Sequence, residues 1–338
     1  MLSVPDGPHP NPFVSLLVAA VEPDVDVRMF SWRAALLGRY DVFHVQWPES
    51  LVGWRASARA AARCLACVAL AGRWRLTRTV VVRTVHNLAP HEAQRWYQRA
   101  AGRLLARAEA ARIYLTASSL ATADDPHGHV IKHGRYRQWF DALEVPVPPR
   151  DDPEGPDGPT VLFFGMLRPY KGVEELLAAF GHLERPARLR VLGRPHTAQY
   201  QTQIQTLAAA DQRTELDLRH VPDEELWAAL HRATLVVLPF REITNSGSLI
   251  LALDAGVPVL VSSSPTTKEL AEEVGDQWLR TYDGTLSAKV LDEALTWAAT
   301  RPGPAAGPDL SSRDQRSVGR EYVALYRTLL ARYRKSGE

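Results

Sequence analysis

The stretch "LPFREITNSGSLILALDAGVPVLVSS", Leu238 to Ser263, decides the architecture. A run ending in Leu238, Pro239 and Phe240 reads as the end of a buried strand. A polar loop follows, Ser246, Gly247 and Ser248 open an apolar helix, and "VPVLVSS" supplies the next strand. Strand, helix and strand in this order build a parallel sheet. The first turn of the helix leaves its backbone N–H groups without intrahelical partners and carries the positive end of the helix dipole. Such an end suits an anion, phosphate above all.

The same alternation runs along the whole chain. "DVFHVQWP", "TVVVRTVHN" and "ARIYLTAS" stand in the front half, and "TVLFFG", "ARLRVLG", "ATLVVLPF" and "VPVLVSS" in the back half, with helical patterns between them. Runs that are apolar on both faces belong to parallel sheets covered on both sides, so the fold class is α/β with two such sheets. The segment "VPVPPRDDPEGPDGPT", Val145 to Thr160, is too rich in Pro, Gly and Asp for a helix or a central strand and reads as a linker. Residues 1–148 and 149–312 are therefore expected to form two domains. In residues 313–338, Tyr322, Leu325, Leu329 and Tyr333 recur at helical spacing, and that helix is expected to pack back on the first domain.

With 338 residues each domain can bury a core of its own. The net charge of +2 hides an asymmetry: residues 1–150 hold 19 Lys or Arg against 12 Asp or Glu, and residues 151–338 hold 21 against 26. Between Glu49 and Glu92 there is no acidic residue, yet Arg55, Arg59, Arg63, Arg73, Arg75, Arg78 and Arg83 all lie there. A face of this kind attracts anionic lipid headgroups or another polyanion. Cys64 and Cys67 sit in a helical pattern with no second pair and read as small helix residues. The start of the chain lacks the pattern of a secretory signal, and the apolar run from Cys64 to Gly72 is too short to span a bilayer, so a cytoplasmic location with peripheral membrane contact is expected.

Ligands of open α/β sheets bind beyond the carboxyl ends of the strands. After "TVLFF", Gly165 allows close backbone approach, and Arg168 and Lys171 precede a helix that starts near Gly172. Two cations at a helix start are opposed by the dipole unless an anion compensates, which points to a diphosphate clamp. From the next loop, Ser246, Gly247 and Ser248 can offer two hydroxyls and consecutive N–H groups to the same diphosphate. The chain has no G-x-G-x-x-G and no G-x-x-x-x-G-K-[ST], against a nicotinamide dehydrogenase and a P-loop NTPase. In the front half His44 and Trp47 follow one strand, and His86, Asn87, His91 and Glu92 follow another. Histidine there can act as base or hydrogen-bond donor, and Trp47 can stack on a sugar ring. The His86 and His91 pair lacks a third metal ligand at useful spacing, so no metal is expected.

Six segments, "HVQWPE", "TVHNLAPHE", "VIKHGRY", "GMLRPYKGVEELLAAF", "VPDEELW" and "TNSGSLILALDAGVPVL", occur in this order over almost the whole chain. Together they resemble bacterial glycosyltransferases of the GT-B fold, in particular the GDP-mannose-dependent β-mannosyltransferases of exopolysaccharide assembly. The resemblance implies two Rossmann-like domains with parallel sheets facing an interdomain cleft, the donor held by the second domain and the acceptor by the first. It implies donor contacts from Gly165, Arg168, Lys171, His220, Val221, Asn245, Ser246, Gly247 and Ser248, and acceptor contacts from His44, Trp47, Asn87 and His133. His86 is the first catalytic candidate, with His91 and Glu92 in reserve. The glutamate pair usual in related retaining enzymes is replaced by Thr244 and the Leu251/Ala252 region, which favours inversion and leaves ribose binding unassigned.

The expected activity is transfer of a sugar from a nucleotide diphosphate sugar, GDP-mannose favoured, to a glycan, a lipid-linked acceptor or a small molecule. Neither cofactor nor metal is expected, because the cations can neutralise the leaving diphosphate. No nucleic-acid partner is expected. A non-catalytic GT-B-like subunit and a nucleotide-sugar epimerase are the alternatives.

Overall fold

The computed structural model describes residues 1–4, 11–53, 57–88, 94–146, 148–149, 158–241, 247–299 and 307–335. In chain order the elements begin with α1 (Pro12–Val21), α2 (Trp32–Leu37), β1 (Val42–Val45), α3 (Pro48–Val52), α4 (Ala58–Leu76), β2 (Val80–Val85), α5 (Trp96–Ala106), β3 (Glu109–Tyr114), α6 (Ala117–Ala123) and β4 (Gly128–Val130). They continue with α7 (Arg137–Ala142), β5 (Thr160–Phe164), α8 (Val173–Gly181), β6 (Arg188–Leu192), α9 (Ala198–Ala208), β7 (Thr214–Asp217), α10 (Asp223–Arg232) and β8 (Leu235–Leu238). The chain ends with α11 (Gly247–Asp254), β9 (Val259–Ser262), α12 (Pro265–Val274), β10 (Leu279–Tyr282), α13 (Ala288–Ala299) and α14 (Gln315–Lys335). Many of the helices start on side-chain caps: Asn11, Ser31, Ser57, Thr116, Thr197 and Ser264 each accept from a backbone N–H of the first turn.

Two compact units result, Met1–Gly134 with Ser312–Glu338, and Arg135–Ser311. The first holds a parallel sheet in the order β1-β2-β3-β4. Phe43, Val45 and Val81 face one side, where Cys64, Cys67, Leu70 and Trp74 of α4 and Ala101 and Leu105 of α5 cover them. Val80, Val82, Ala111 and Ile113 face the other, against Val14 and Leu17 of α1 and Tyr322, Val323 and Tyr326 of α14. The two cysteines are thus buried core residues.

The second unit holds a parallel sheet in the order β10-β9-β8-β5-β6-β7. Every residue of β5 ("TVLFF") and β8 ("LVVL") is buried, as a central strand covered on both faces requires. The chain proceeds outward from β5 through β6 to β7, then returns to the opposite side of β5 with β8. The order therefore reverses between β5 and β8.

The division between units falls at Gly134/Arg135, not at 148/149. The Pro-rich composition drew the expected boundary, but α7 is claimed by the second unit through non-local packing. Phe140 stacks on Trp227 with ring centroids 4.2 Å apart and planes at 9°. Trp139 Nε1 donates to Asp223 Oδ2 at 2.8 Å. Arg135 Nε donates at 2.9 Å to Asp254, whose carboxylate is wholly enclosed. Of the expected linker, residues 147 and 150–157 lie outside the described residues.

Helix α14 meets α1 at Gly319, where a Cβ atom would come within 2.3 Å of the Ala20 carbonyl oxygen and 2.8 Å of its Cβ. Alanine there gains helix propensity but collides with backbone that cannot swing aside. Gly319→Val is expected to destabilise the protein by about 1–3 kcal/mol, lowering Tm by several degrees in a thermal melt. An unchanged Tm would refute this packing.

Candidate functional site

The reversal of strand order puts the loops after β5 and β8 side by side. Register between the strands runs Val161 to Leu235 and Leu162 to Val236, so Phe164 and Leu238 end level with each other. Gly165 leaves β5 with φ +110°, a conformation open to glycine and strained for other residues. The next turn, Pro169–Lys171, closes at Gly172, whose φ of +68° turns the chain into α8. Gly172 packs so tightly on the loop after β8 that a Cβ would lie 2.0 Å from the Pro239 carbonyl oxygen. Arg241 N also donates to Tyr170 O at 2.8 Å. The two loops are therefore fixed to each other by backbone.

Their side chains converge over Gly165. A Cβ on that residue would meet Lys171 Nζ at 3.1 Å and Ser248 Oγ at 3.3 Å. One ammonium and one hydroxyl from the start of α11 thus occupy the space left by the missing side chain. Lys171 Nζ also lies 5.1 Å from the centroid of the Phe240 ring, a cation–π contact from the second loop. Burial, and then the nearby Arg168 guanidinium, push the Lys171 pKa down to about 8. Both causes act against the cation, so an arriving anion removes a penalty as well as adding an attraction. Arg168 Nε contacts Met166 Sδ at 3.3 Å on the same loop.

Gly165, Arg168, Lys171, Gly247 and Ser248 are accordingly brought together at the switch in strand order, where open α/β sheets take ligands. Asn245 and Ser246 lie outside the described residues, as does Thr244. His220 and Val221 follow β7, two strands from β5 and so about 10 Å away at ordinary strand spacing. His220 is exposed and Val221 packs on the core.

In the first unit the strand ends of β1 and β2 carry a hydrogen-bonded row. Gln46 Nε2 lies 3.3 Å from His44 Nε2, which also bonds Thr84 Oγ1 at 2.8 Å, while His44 Nδ1 lies 2.7 Å from Tyr326 Oη. The arrangement makes His44 Nε2 an acceptor and Nδ1 the donor to Tyr326. The amide oxygen of Gln46 then faces His86 Nε2 at 3.0 Å, so this nitrogen of His86 carries a proton. Trp47 stacks on the His86 ring at 4.5 Å and 17°, and Phe13 packs edge-on against it at 5.0 Å. Burial first, then the charges of His133 and Arg83, lower the His86 pKa to about 3. His86 is a neutral imidazole.

Two expected acceptor contacts are corrected by this geometry. His44 is enclosed and both ring nitrogens are engaged, which makes it an internal strut between β1, β2 and α14. His133 is buried, with Nδ1 2.6 Å from the Gly134 carbonyl oxygen and its own carbonyl accepting from Arg313 Nη1 at 3.1 Å. Trp47 gives one indole face to His86, and Asn87 follows His86 at the end of β2, half-buried. His91 and Glu92 lie outside the described residues. The roles of Phe13, Thr84 and Tyr326 had no signal in the sequence, since each depends on contacts from distant elements.

The fold and the site define a class, a two-unit parallel α/β protein with a cationic strand-end site. A family model described as glycosyl transferases group 1 matches residues 158–296. Two curated relatives from Xanthomonas campestris pv. campestris, both named GDP-mannose:glycolipid 4-beta-D-mannosyltransferase, are 38% and 37% identical over 332 residues, 97% of this chain and 90% of each relative. The solved structure of Anabaena HepE in complex with UDP and glucose aligns with a TM-score of 0.62 at 15% identity, over 97% of this chain and 99% of that one. The chain belongs to the group 1 glycosyl transferases and is a glycosyltransferase of the GT-B fold.

Two outcomes follow from the site. Nucleotide diphosphate affinity should fall as pH rises through about 8, where the Lys171 ammonium is lost, by at most tenfold per pH unit. The Lys171→Arg variant, if it binds, should show a flat profile over the same range in calorimetry; a flat profile in the wild type would remove Lys171 from the anion site. The Lys171→Ala variant should keep the wild-type melt while turnover drops by roughly two orders of magnitude or more, the scale of a lost oxyanion-type contact.

Proposed function

We propose that the chain transfers a mannosyl residue from GDP-mannose to a lipid-linked glycan, with inversion at the anomeric carbon and without a metal ion. The observation that carries this reading is the convergence of Lys171 and Ser248 over Gly165. It rests also on similarity to two relatives whose name gives GDP-mannose, a glycolipid and a β linkage. The alternatives of an epimerase and a silent subunit gain nothing from these relatives.

In this mechanism the diphosphate lies over Gly165. Lys171, Arg168 and the N–H groups opening α11 take up the charge that develops as the C1–O bond to phosphate breaks. Charges of this kind, already in place and partly desolvated, do at the leaving group what a divalent cation does elsewhere. The base loop is His220–Val221. An acceptor hydroxyl attacks C1 from the opposite face and gives up its proton.

His86 is poorly suited to receive that proton, because an imidazolium in its surroundings is strongly disfavoured. Its role is to shape the strand end as a neutral ring, fixed by Gln46 and Trp47, beside the sugar. The base then falls to His91 or Glu92. A lipid-borne acceptor also calls for a protein that works at a membrane from the side, and among the described residues no helix is long and apolar enough to cross one.

The reading is tested by thermal shift with GDP, UDP, ADP and dTDP, followed by product analysis. GDP alone should raise Tm, by the amount its saturation dictates, and chelation by EDTA should leave turnover unchanged. Stabilisation by UDP in place of GDP would overturn the donor assignment, and an α-linked product would overturn inversion.

A further inference from the structure

From Ser50 to Ala108 the sequence contains eleven arginines and a single acid, Glu92. Helices α4 and α5 carry most of these arginines, and they cover the same side of the first sheet. Their inward faces are spent on the core, so their outward faces look to the same side of the unit.

What they present there is unusual in two respects. On α4 the exposed positions Ala61, Leu65, Val68, Ala69, Gly72 and Leu76 recur at intervals of three and four residues and form one apolar stripe along the helix. Leu65 is 74% exposed, Val68 53% and Leu76 88%, and Trp96 at the start of α5 is 73% exposed. Beside this stripe stand Arg59, Arg63, Arg75 and Arg78, with Arg95, Arg99, Arg103 and Arg107 on and around α5, all exposed. None of these eight takes part in an ion pair among the described residues, whereas Arg83 and Arg112 nearby are paired with the buried Glu109.

We propose that the joint outer face of α4 and α5 docks on an anionic lipid bilayer, the arginines against headgroups and Leu65, Val68, Leu76 and Trp96 entering the interfacial layer. A solvated helix face would carry charges of both signs; this one carries a single sign around exposed apolar side chains. That combination marks a helix lying in a membrane interface, with tryptophan at the headgroup level. Neutral water-facing surfaces gain nothing from eight uncompensated cations, which repel one another until anions screen them. The proposal rests on the reading that the acceptor is lipid-borne, and it supplies the surface through which that acceptor is approached.

Sedimentation with vesicles free of donor and acceptor tests it. Wild-type protein should bind phosphatidylglycerol/phosphatidylcholine vesicles, bind pure phosphatidylcholine vesicles weakly, and lose affinity in high salt. The variant Arg59→Gln/Arg63→Gln/Arg99→Gln/Arg103→Gln should lose on the order of a hundredfold or more in vesicle affinity, given the usual contribution of each basic residue at an anionic surface. Leu65→Ser/Trp96→Ser should also weaken binding, while Arg232→Gln/Lys268→Gln/Arg316→Gln/Arg320→Gln, of equal charge change, should bind as wild type. All four substituted positions in each quadruple variant are exposed, and an unchanged thermal melt checks the fold. Equal binding to anionic and neutral vesicles, or undiminished binding by the α4/α5 variant, would overturn the proposal. So would a wild-type dimer dissolved by the same substitutions without any vesicle binding. Transfer from GDP-mannose to a detergent-dispersed lipid-linked glycan separates the two readings: its absence in wild type would count against the activity and leave the vesicle result standing.

Discussion

The second unit is organised around a space that a side chain would fill. Gly165 stands where β5 ends, next to the point at which strand order reverses, and its missing Cβ leaves room into which Lys171 and Ser248 both reach. Neither residue could be brought there by its own loop. Lys171 depends on Gly172, which adopts a positive φ and presses on Pro239, and Ser248 is the second residue of α11, the helix that follows β8. Packing of backbone on backbone therefore sets the distance between a cation and a hydroxyl. The lowered pKa of Lys171 is the electrostatic counterpart: the fold holds an ammonium where water solvates it poorly, beside a second cation.

The first unit solves the opposite problem. Its strand ends hold histidines, but burial keeps His44, His86 and His133 all well below the usual histidine pKa, so the row carries directed hydrogen bonds and no net charge. Tyr326 of α14 fixes His44, His44 and Gln46 share a bond, and Gln46 sets which nitrogen of His86 holds the proton. The last helix of the chain thus reaches the ends of β1 and β2 through three side chains. Such a row presents neutral, fixed hydrogen-bonding groups at the ends of β1 and β2.

The parts of this arrangement that were legible in the sequence are those with a local signature. Apolar runs such as "TVLFF" and "LVVL" announced buried parallel strands, and the glycine, arginine and lysine after β5 stand out locally because cations beside a helix start call for a reason. The unit boundary was not legible. A stretch dense in proline outweighed the Phe140–Trp227 stack and the Arg135–Asp254 pair, which join residues about ninety to 120 apart in sequence. His44 was misread for the same cause: a histidine at a strand end looks chemical until Tyr326, 282 residues away, is seen to close over it.

Arginine, abundant throughout, does three distinct jobs here, and the pairing of each tells them apart. In the second unit Arg185, Arg190, Arg213 and Arg219 each sit against a carboxylate, Asp292, Glu215, Asp211 and Glu225 in turn, so their charge is spent locally. Arg168 lends its charge to a site where a second cation already stands. The arginines of α4 and α5 have neither a carboxylate partner nor a neighbouring cationic site to serve, and they border exposed leucine, valine and tryptophan. Among the described residues, exposed arginines without an ion pair also occur elsewhere, Arg232 and Arg194 in the second unit and Arg316 and Arg320 on α14 among them, but acids stand close in the sequence to Arg232, Arg316 and Arg320, and no large apolar side chain is exposed beside Arg232 or Arg316. Eight arginines on the α4/α5 face, with a single acid in the 59 residues from Ser50 to Ala108 and exposed apolar side chains between them, are what separate a surface with a partner from a surface that is merely basic.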